Sequence, residues 1–257
     1  MNAASDINTT YFDALKRDLV SPERAGKGIT PQPDKRSRLV FLTDPAGLAV
    51  EQYKLLRRRL NALRPQGGVL GITSPGPGEG KTLTSVNLAW CFANGGQRTC
   101  LADLDFRAPG VAHTLKYSVE ADGVEDVLTG KNAVHESLYK IGDDPLYALC
   151  IQKRRAALDE LLSPAALAPF LEKLRRMFHW VILDLPPATP MADVAEIVPQ
   201  VDGAILVIRN ATTKKAMIPA ACEVLESRLW GVVYNDSPIA GSEYYGSYGS
   251  TGSRVKR

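Results

Sequence analysis

One glycine-rich stretch restricts the possible folds of this chain more than any other feature of the sequence. The segment VLGITSPGPGEGKTLTSVNLAW occupies residues 69–90. It predicts a buried strand at Val69–Thr73, a tight loop, and a helix that opens at Lys81. In such a unit the loop backbone and the helix N-terminus direct N–H groups toward one point and form an anion site. We therefore expect a strand–loop–helix unit that binds phosphate groups.

The loop also carries the side chains that a nucleotide phosphate site needs. Lys81 is expected to reach the β and γ phosphates, and the Thr82 hydroxyl is expected to bind Mg²⁺. Pro75 stands where the strict pattern GxxxxGK[ST] has glycine, so a simple glycine turn after a buried strand is the alternative interpretation. The predicted nucleotide-binding residues of this segment are Gly76, Pro77, Gly78, Glu79, Gly80, Lys81, Thr82 and Leu83.

Short apolar runs alternate with helical stretches along the middle of the chain, and several runs are apolar on both faces, as buried parallel strands are. This alternation favours an α/β fold with a doubly wound, mostly parallel sheet of about six to eight strands flanked by helices. The later predicted strands are Arg98–Asp103, Leu146–Ile151, Trp180–Asp184, Gly203–Ile208 and Trp230–Asn235. The predicted helices are Leu48–Leu63, Lys81–Ala93, about Pro169–Met177, Ala192–Pro199 and about Lys214–Leu229. Pro169 is expected in the first turn of its helix.

The two ends of the chain differ in composition from the middle. Residues 1–37 are polar and without sustained periodicity, which predicts a flexible segment that includes one short helix at Tyr11–Leu19. Residues 238–257 are rich in Gly and Ser and predict a disordered tail. Residues 38–237 are then expected to form one domain.

Charge, cysteine content and hydropathy exclude several classes of protein. The net charge is +3 over 257 residues and the basic clusters are dispersed, so no nucleic-acid partner is expected. The four cysteines lie apart in apolar runs without metal-ligand spacing, which indicates reduced core residues of a cytoplasmic protein. No apolar stretch approaches the ~20 residues of a membrane-spanning helix, and the N-terminus resembles no secretory signal. We expect a cytoplasmic protein that reaches a membrane only through a partner.

Acidic residues follow two more of the predicted strands. LADLDFRAP places Asp103 at the end of one strand with Asp105 two residues later, and VILDLPP places Asp184 at the end of another. Because the carboxyl ends of parallel strands meet at one edge of a sheet, these carboxylates are expected beside the phosphate loop. Mg²⁺ needs only one or two of them together with Thr82 and phosphate oxygens, and a further carboxylate can accept a proton from an attacking hydroxyl. Taken alone, DLDFR also fits a turn that caps a helix.

The loop, DxDxR and hydrophobic-DxPP, in this order and spacing, resemble the bacterial tyrosine kinases, a family of capsular and exopolysaccharide autokinases with a ParA/MinD-like P-loop NTPase fold. The similarity covers about Leu42 to the C-terminus. It implies an ATP-dependent protein-tyrosine kinase that regulates exopolysaccharide or capsule biosynthesis and export. It further implies that Asp103 is the catalytic base and that Asp105 and Asp184 organise Mg²⁺, with Lys81 completing the catalytic set.

The same resemblance assigns residues outside the phosphate site. Arg107 completes DxDxR beside the nucleotide, and Asn235, which ends WGVVYN, matches the position that reads adenine in related ATPases. Glu51, Lys54 and Arg57 occupy the places of an ExxRxxR helix that packs against a neighbouring subunit in a ring, although lysine lacks the bidentate fork of arginine. An ordinary amphipathic helix is the alternative. The implied partners are ATP, other copies of the chain, and a membrane adaptor or polysaccharide co-polymerase.

Three tyrosines stand in the tail sequence EYYGSYG, among residues that cannot build a core. The resemblance implies that Tyr244, Tyr245 and Tyr248 are autophosphorylation sites, modified in trans within an oligomer. Two other functions stay open: an ATPase switch of the ParA or MinD kind, and a catalytically silent nucleotide-binding regulator of a membrane polysaccharide machine. The loop SPGPGEGKT lacks the early lysine of the partitioning and septum-positioning ATPases, which counts against the switch.

Overall fold

An eight-stranded sheet organises the chain in the computed structural model, which describes residues 27–34, 37–119, 123–153, 160–190 and 192–237. The strands are β1 Lys27–Ile29, β2 Gly68–Thr73, β3 Thr99–Asp103, β4 Tyr139–Ile141, β5 Leu146–Leu149, β6 Trp180–Asp184, β7 Gly203–Arg209 and β8 Leu229–Asn235. Their order across the sheet is β1-β4-β5-β3-β6-β2-β7-β8. Neighbouring strands are parallel except for the antiparallel pair β4 and β5. The predicted doubly wound, mostly parallel sheet is confirmed.

Helices cover both faces of this sheet. They are α1 Val40–Thr43, α2 Leu48–Leu63, α3 Lys81–Asn94, α4 Val111–Thr114, α5 Val124–Leu128, α6 Val134–Ser137, α7 Pro164–Met177, α8 Asp193–Ile197 and α9 Met217–Leu225, with 3₁₀ turns at Val198–Gln200 and Glu226–Arg228. Helices α2 to α4 pack on one face and α5 to α9 on the other, each with its own apolar cluster. Successive residues of a strand alternate between the clusters, as Val69 and Leu70 do, which explains the continuous apolar runs.

A buried aromatic pair joins the phosphate-loop helix to the central sheet. Trp180 opens β6, is fully buried, and stacks on Phe92 of α3 with ring centroids 4.7 Å apart. Its indole Nε1 donates a hydrogen bond to Asn61 Oδ1 of α2 at 3.1 Å, so the polar atom of this large side chain is satisfied. The stack therefore joins the start of β6 to the end of α3. The opposite ends of these two elements carry Asp184 and Lys81.

Several details of the sequence prediction are wrong. Lys27–Ile29 forms a strand inside the segment predicted to be flexible, because it pairs with Tyr139–Ile141 at the sheet edge. Pro169 is the sixth residue of α7 rather than part of its first turn. The helix begins earlier because Ser163 caps it, accepting from the Ala166 N–H, and places Pro164 at the first position.

The last predicted helix, Lys214–Leu229, is shorter in the structure, where α9 starts at Met217 and gives way to the 3₁₀ turn at Glu226. The helix predicted at Tyr11–Leu19 and the tail 238–257 lie outside the described residues. The division into a leader, one domain and a tail therefore stays a prediction. Within the part of the chain that the structure describes, every helix is too short or too polar to cross a bilayer.

Candidate active site

The loop between β2 and α3 owes its shape to two glycines with left-handed backbone conformations. Gly78 has φ +76° and Gly80 has φ +93°. A Cβ atom on Gly80 would lie 2.2 Å from Asn235 Nδ2, whereas one on Gly78 would meet nothing within 4 Å. Gly80 is therefore required for both its conformation and its close approach, while Gly78 is required for its conformation alone.

Side-chain hydrogen bonds fix the first half of the loop. The Ser74 hydroxyl donates to the Gly76 carbonyl at 2.7 Å, and the buried Glu79 carboxylate accepts from the Gly76 N–H at 3.2 Å. The Thr189 hydroxyl, from the segment after β6, donates to the Pro75 carbonyl at 2.6 Å. Proline at position 75 is compatible with this loop because its carbonyl, which proline retains, makes the contact.

Lys81 lies buried among the acidic residues that the sequence placed at strand ends. Its Nζ donates to Asp105 Oδ2 at 2.7 Å and lies 4.0 Å from Asp184 Oδ2. Burial lowers the pKa of Lys81, but the carboxylates of Asp184, Asp105 and Asp103 outweigh it and hold the pKa above its ordinary value. The lysine is therefore a fixed positive charge at the carboxyl edge of the sheet.

Asp184 ends β6 and is hydrogen-bonded on both carboxylate oxygens. Thr82 Oγ1 donates to Oδ2 at 2.7 Å, and Ser85 Oγ donates to Oδ1 at 2.9 Å. Burial raises the pKa of Asp184 above its ordinary value, although Lys81 and these two hydroxyls act against the shift. The predicted neighbours Thr82 and Asp184 are thus in contact, as a shared magnesium site requires.

Asp103 ends β3 and is completely buried. Its Oδ1 accepts from the Asp105 N–H at 3.1 Å, and its Oδ2 accepts from the N–H groups of Gly110 and Val111 at 3.0 Å each. Asp103 therefore caps the start of α4, so the helix-cap interpretation of DLDFR is correct in structural terms. Since a carboxylate has about four acceptor sites, capacity for one further donor remains.

The environment of Asp103 raises its affinity for a proton. Burial, and then the negative charge of Asp184, raise its pKa from the ordinary 3.8 to about 8, against the effect of its backbone hydrogen bonds. A carboxylate with a pKa near neutrality is a stronger base than an exposed one. The position and the pKa together make Asp103 the best candidate for a base among the three carboxylates.

Arg107 makes a bidentate ion pair that sequence reasoning did not identify. Its Nε and Nη2 donate to the two carboxylate oxygens of Asp193 at 2.7 and 3.0 Å. Asp193 opens α8, so this pair links the DxDxR loop to the segment after β6. The predicted role of Arg107 at the nucleotide stays a prediction, because its guanidinium is engaged by Asp193 here.

The chemistry of these donors fits Mg²⁺ and phosphate. Thr82 and Asp184 offer hard oxygen ligands. Asp105 is close to them, because Lys81 Nζ contacts both Asp105 Oδ2 and Asp184 Oδ2. No group of three or more His, Cys, Asp or Glu side chains in the described ranges could hold a metal ion by itself. A magnesium ion here would depend on phosphate oxygens and water for its remaining ligands, as nucleotide-bound magnesium does.

Other predicted residues occupy different places. Asn235 uses its amide to hold the loop, donating to the Glu79 carbonyl at 2.9 Å, so a role in reading adenine stays a prediction. Glu51 and Lys54 pair with each other at 2.8 Å on the outer face of α2. Arg57 donates to the Cys91 carbonyl of α3 at 2.6 Å. Tyr244, Tyr245 and Tyr248 lie outside the described residues.

Ser85 is a site residue that the sequence analysis missed, although its spacing could have revealed it. It stands four residues after Lys81 on α3, and residues at this spacing share one helix face.

Replacing Ser85 with alanine should lower the catalytic rate about tenfold, since a hydrogen bond to a buried carboxylate is lost. Steady-state kinetics with Ser137→Ala as control, a buried serine on α6, would test this. Equal effects of the two variants would contradict it.

Comparison with known proteins identifies tyrosine kinases. No family model matches the chain. Tyrosine-protein kinase YwqD of Bacillus subtilis is 30% identical over 217 residues, covering 82% of this chain and 91% of that protein. Tyrosine-protein kinase CpsD of Streptococcus pneumoniae is 31% identical over 199 residues, with 76% and 88% covered. The crystal structure of the VpsO kinase domain matches with a TM-score of 0.66 and 30% identity, covering 73% of this chain and 94% of that one.

Proposed function

This chain belongs to the bacterial tyrosine kinase family, and from that premise we propose that it is an ATP-dependent protein-tyrosine autokinase of an exopolysaccharide or capsule system. One observation carries the proposal above all. Lys81, Thr82, Asp105 and Asp184 form a connected set of contacts at the carboxyl edge of the sheet, beside the glycine loop. Phosphoryl transfer relies mainly on such positioning and charge stabilisation.

The phosphate loop and Lys81 bind the nucleotide in this proposal. The N–H groups of residues 78–82, which include the start of α3, bind the phosphates. Lys81 leaves Asp105 to reach the γ-phosphate, a movement its long side chain permits, and stabilises the charge that develops on the transferred group. Mg²⁺, held by Thr82, Asp184 and Asp105, would neutralise the phosphate oxygens.

Asp103 accepts the proton of the attacking tyrosine hydroxyl. Its carboxylate has one remaining acceptor site, and its raised pKa of about 8 makes its deprotonated form a stronger base than an exposed carboxylate. Asp103 is fully buried and bound by the N–H groups of Gly110 and Val111, so this turn must move before a tyrosine hydroxyl can reach the carboxylate.

Tyr244, Tyr245 and Tyr248 are the proposed acceptors, and transfer in trans within a homo-oligomer is the proposed route. Glu51, Lys54 and Arg57 are proposed to face a neighbouring copy in a ring, which requires Arg57 to leave the Cys91 carbonyl. The exposed part of α2 supports this, because Leu55 is 42% and Leu63 63% exposed there. We further propose a cytoplasmic protein that a membrane adaptor or polysaccharide co-polymerase recruits to the inner face of the plasma membrane.

Phosphate mapping tests the proposed function directly. Purified protein incubated with Mg-ATP should carry phosphate on the three tail tyrosines, and their joint replacement by phenylalanine should abolish the modification. Mass spectrometry locates the phosphate while released inorganic phosphate is measured in parallel. Tyr234→Phe is the matched control, because Tyr234 is exposed and lies near the tail in sequence, and this variant should keep tail phosphorylation.

Two outcomes of that experiment would favour another function. Steady ATP hydrolysis without phosphotyrosine would indicate an ATPase switch. Nucleotide binding with neither hydrolysis nor phosphotyrosine would indicate a silent regulator.

A further inference from the structure

Two side chains from neighbouring strand ends donate to carbonyl groups of the phosphate loop. Arg209, the last residue of β7, donates from Nη1 to the Gly78 carbonyl at 3.1 Å. Asn235, the last residue of β8, donates from Nδ2 to the Glu79 carbonyl at 2.9 Å. Two successive carbonyls of the loop are therefore held toward β7 and β8.

Holding these carbonyls affects the anion site on the other side of the loop. In a concave run of backbone that binds anions, the N–H groups converge on the ligand. The left-handed conformations of Gly78 and Gly80 create such a run, but glycine is also the residue that leaves it most easily. Donors that hold the carbonyls in place therefore favour the conformation that binds phosphate before any ligand arrives.

The Arg209 side chain is itself held in position. Its Nε and Nη2 both contact Asp236 Oδ2 at 2.6 Å, which leaves Nη1 for Gly78. Its backbone N–H donates to the Thr213 hydroxyl at 2.7 Å, which fixes the end of the strand. Asp236 also lies 3.5 Å from Arg38. A guanidinium fixed at this many points is a rigid support rather than a mobile surface group.

We propose that Arg209, tethered by Asp236, is a positioning residue that holds the phosphate loop in its phosphate-binding conformation. The residue touches the loop and acts on the ligand through it. The inference rests on the proposed function only in naming a nucleotide as the ligand.

Hydrogen exchange and nucleotide binding test this proposal together. In Arg209→Met, the peptide that covers residues 74–80 should exchange faster than in the unmodified protein without ligand. Affinity for Mg-ADP, measured by titration calorimetry, should fall about tenfold, as expected for one charge-assisted hydrogen bond. Arg209→Lys should recover part of both effects, because lysine keeps the charge but not the fork. Arg176→Met is the control, since Arg176 is exposed and pairs with Glu172 on α7.

Comparing the affinities for AMP and ADP separates an effect of Arg209 through the loop from direct contact with the nucleoside. AMP lacks the phosphates that the loop and Lys81 bind, so Arg209→Met should weaken AMP less than ADP. Equal losses for AMP and ADP would overturn the proposal, as would normal exchange and normal affinity in Arg209→Met.

Neither hydrogen exchange nor nucleotide affinity depends on phosphoryl transfer to tyrosine. If the unmodified protein bound ADP but never phosphorylated its tail, the proposed function would fail while the role of Arg209 stood. If Arg209→Met behaved like the control, the role of Arg209 would fail while the kinase stood.

Discussion

Lys81→Met should lower the rate of tail phosphorylation by about 10²–10³ even at saturating Mg-ATP, because a preorganised charge on the transferred phosphoryl group is lost. Nucleotide affinity should also fall, since the lysine contributes to phosphate binding in the ground state. The rate is measured from the incorporation of labelled phosphate. Methionine fills a similar volume, so the buried position stays packed.

The substitution also removes a positive charge from a buried acidic site. In the ligand-free protein, Asp105 loses its partner at 2.7 Å, and Asp184 loses the charge that opposes the rise of its pKa. Lys131→Met is the matched control, because Lys131 pairs with Asp126 at 2.9 Å on the surface. It should keep full activity. If Lys81→Met phosphorylated its tail at a tenth of the normal rate or faster, the phosphates would not bind where we place them.

Asp103→Asn should lower the phosphorylation rate by about 10²–10⁴ while nucleotide affinity changes little, because general-base catalysis is lost and the phosphate site is kept. Asparagine retains one oxygen for the N–H groups of Gly110 and Val111, so α4 remains capped, and only the acceptor of the Asp105 N–H is lost. Asp143→Asn, at an exposed position, is the control. Equal loss of binding and rate would indicate that Asp103 organises the nucleotide instead.

The same variant should change how stability depends on pH. The raised pKa of Asp103, about 8, means that the folded protein keeps a proton which the unfolded chain releases near the ordinary value of 3.8. Between these values the folded state binds more protons, so this group makes the protein less stable as pH rises, by up to about 1.4 kcal/mol per pH unit. Denaturant unfolding in magnesium-free buffer from about pH 5 to 8 should show a smaller loss in Asp103→Asn. An unchanged slope would contradict the raised pKa.

Sequence predicted which strand ends lie side by side, because a parallel sheet imposes its geometry. Thr73, Asp103 and Asp184 each end a strand, and the edge that they share follows from the parallel pairing of these strands. The glycine spacing predicted the loop for a similar reason, since the left-handed backbone at Gly80 and its close approach to Asn235 both favour glycine. The tail tyrosines remain a prediction of sequence alone.

Features that depend on distant partners could not be predicted in this way. Asp193 lies 86 residues from Arg107, and Arg209 lies 131 residues from Gly78. Neither pair has a local pattern, because each contact arises only when the sheet is assembled. The short edge strand β1 was missed for a related cause: Lys27–Ile29 has too few residues to show a period of two and becomes a strand through its neighbour.

The stack of Trp180 on Phe92 makes the reactive edge part of the same cooperative unit as the core. Trp180 begins the strand that ends at Asp184, and Phe92 lies on the helix that begins at Lys81. Partial opening that separates these two elements must expose a fully buried indole, which places it among the costly openings of the fold. In a variant whose other two tryptophans, Trp90 and Trp230, are replaced by phenylalanine, the fluorescence of this indole would therefore report the integrity of the reactive edge without any label.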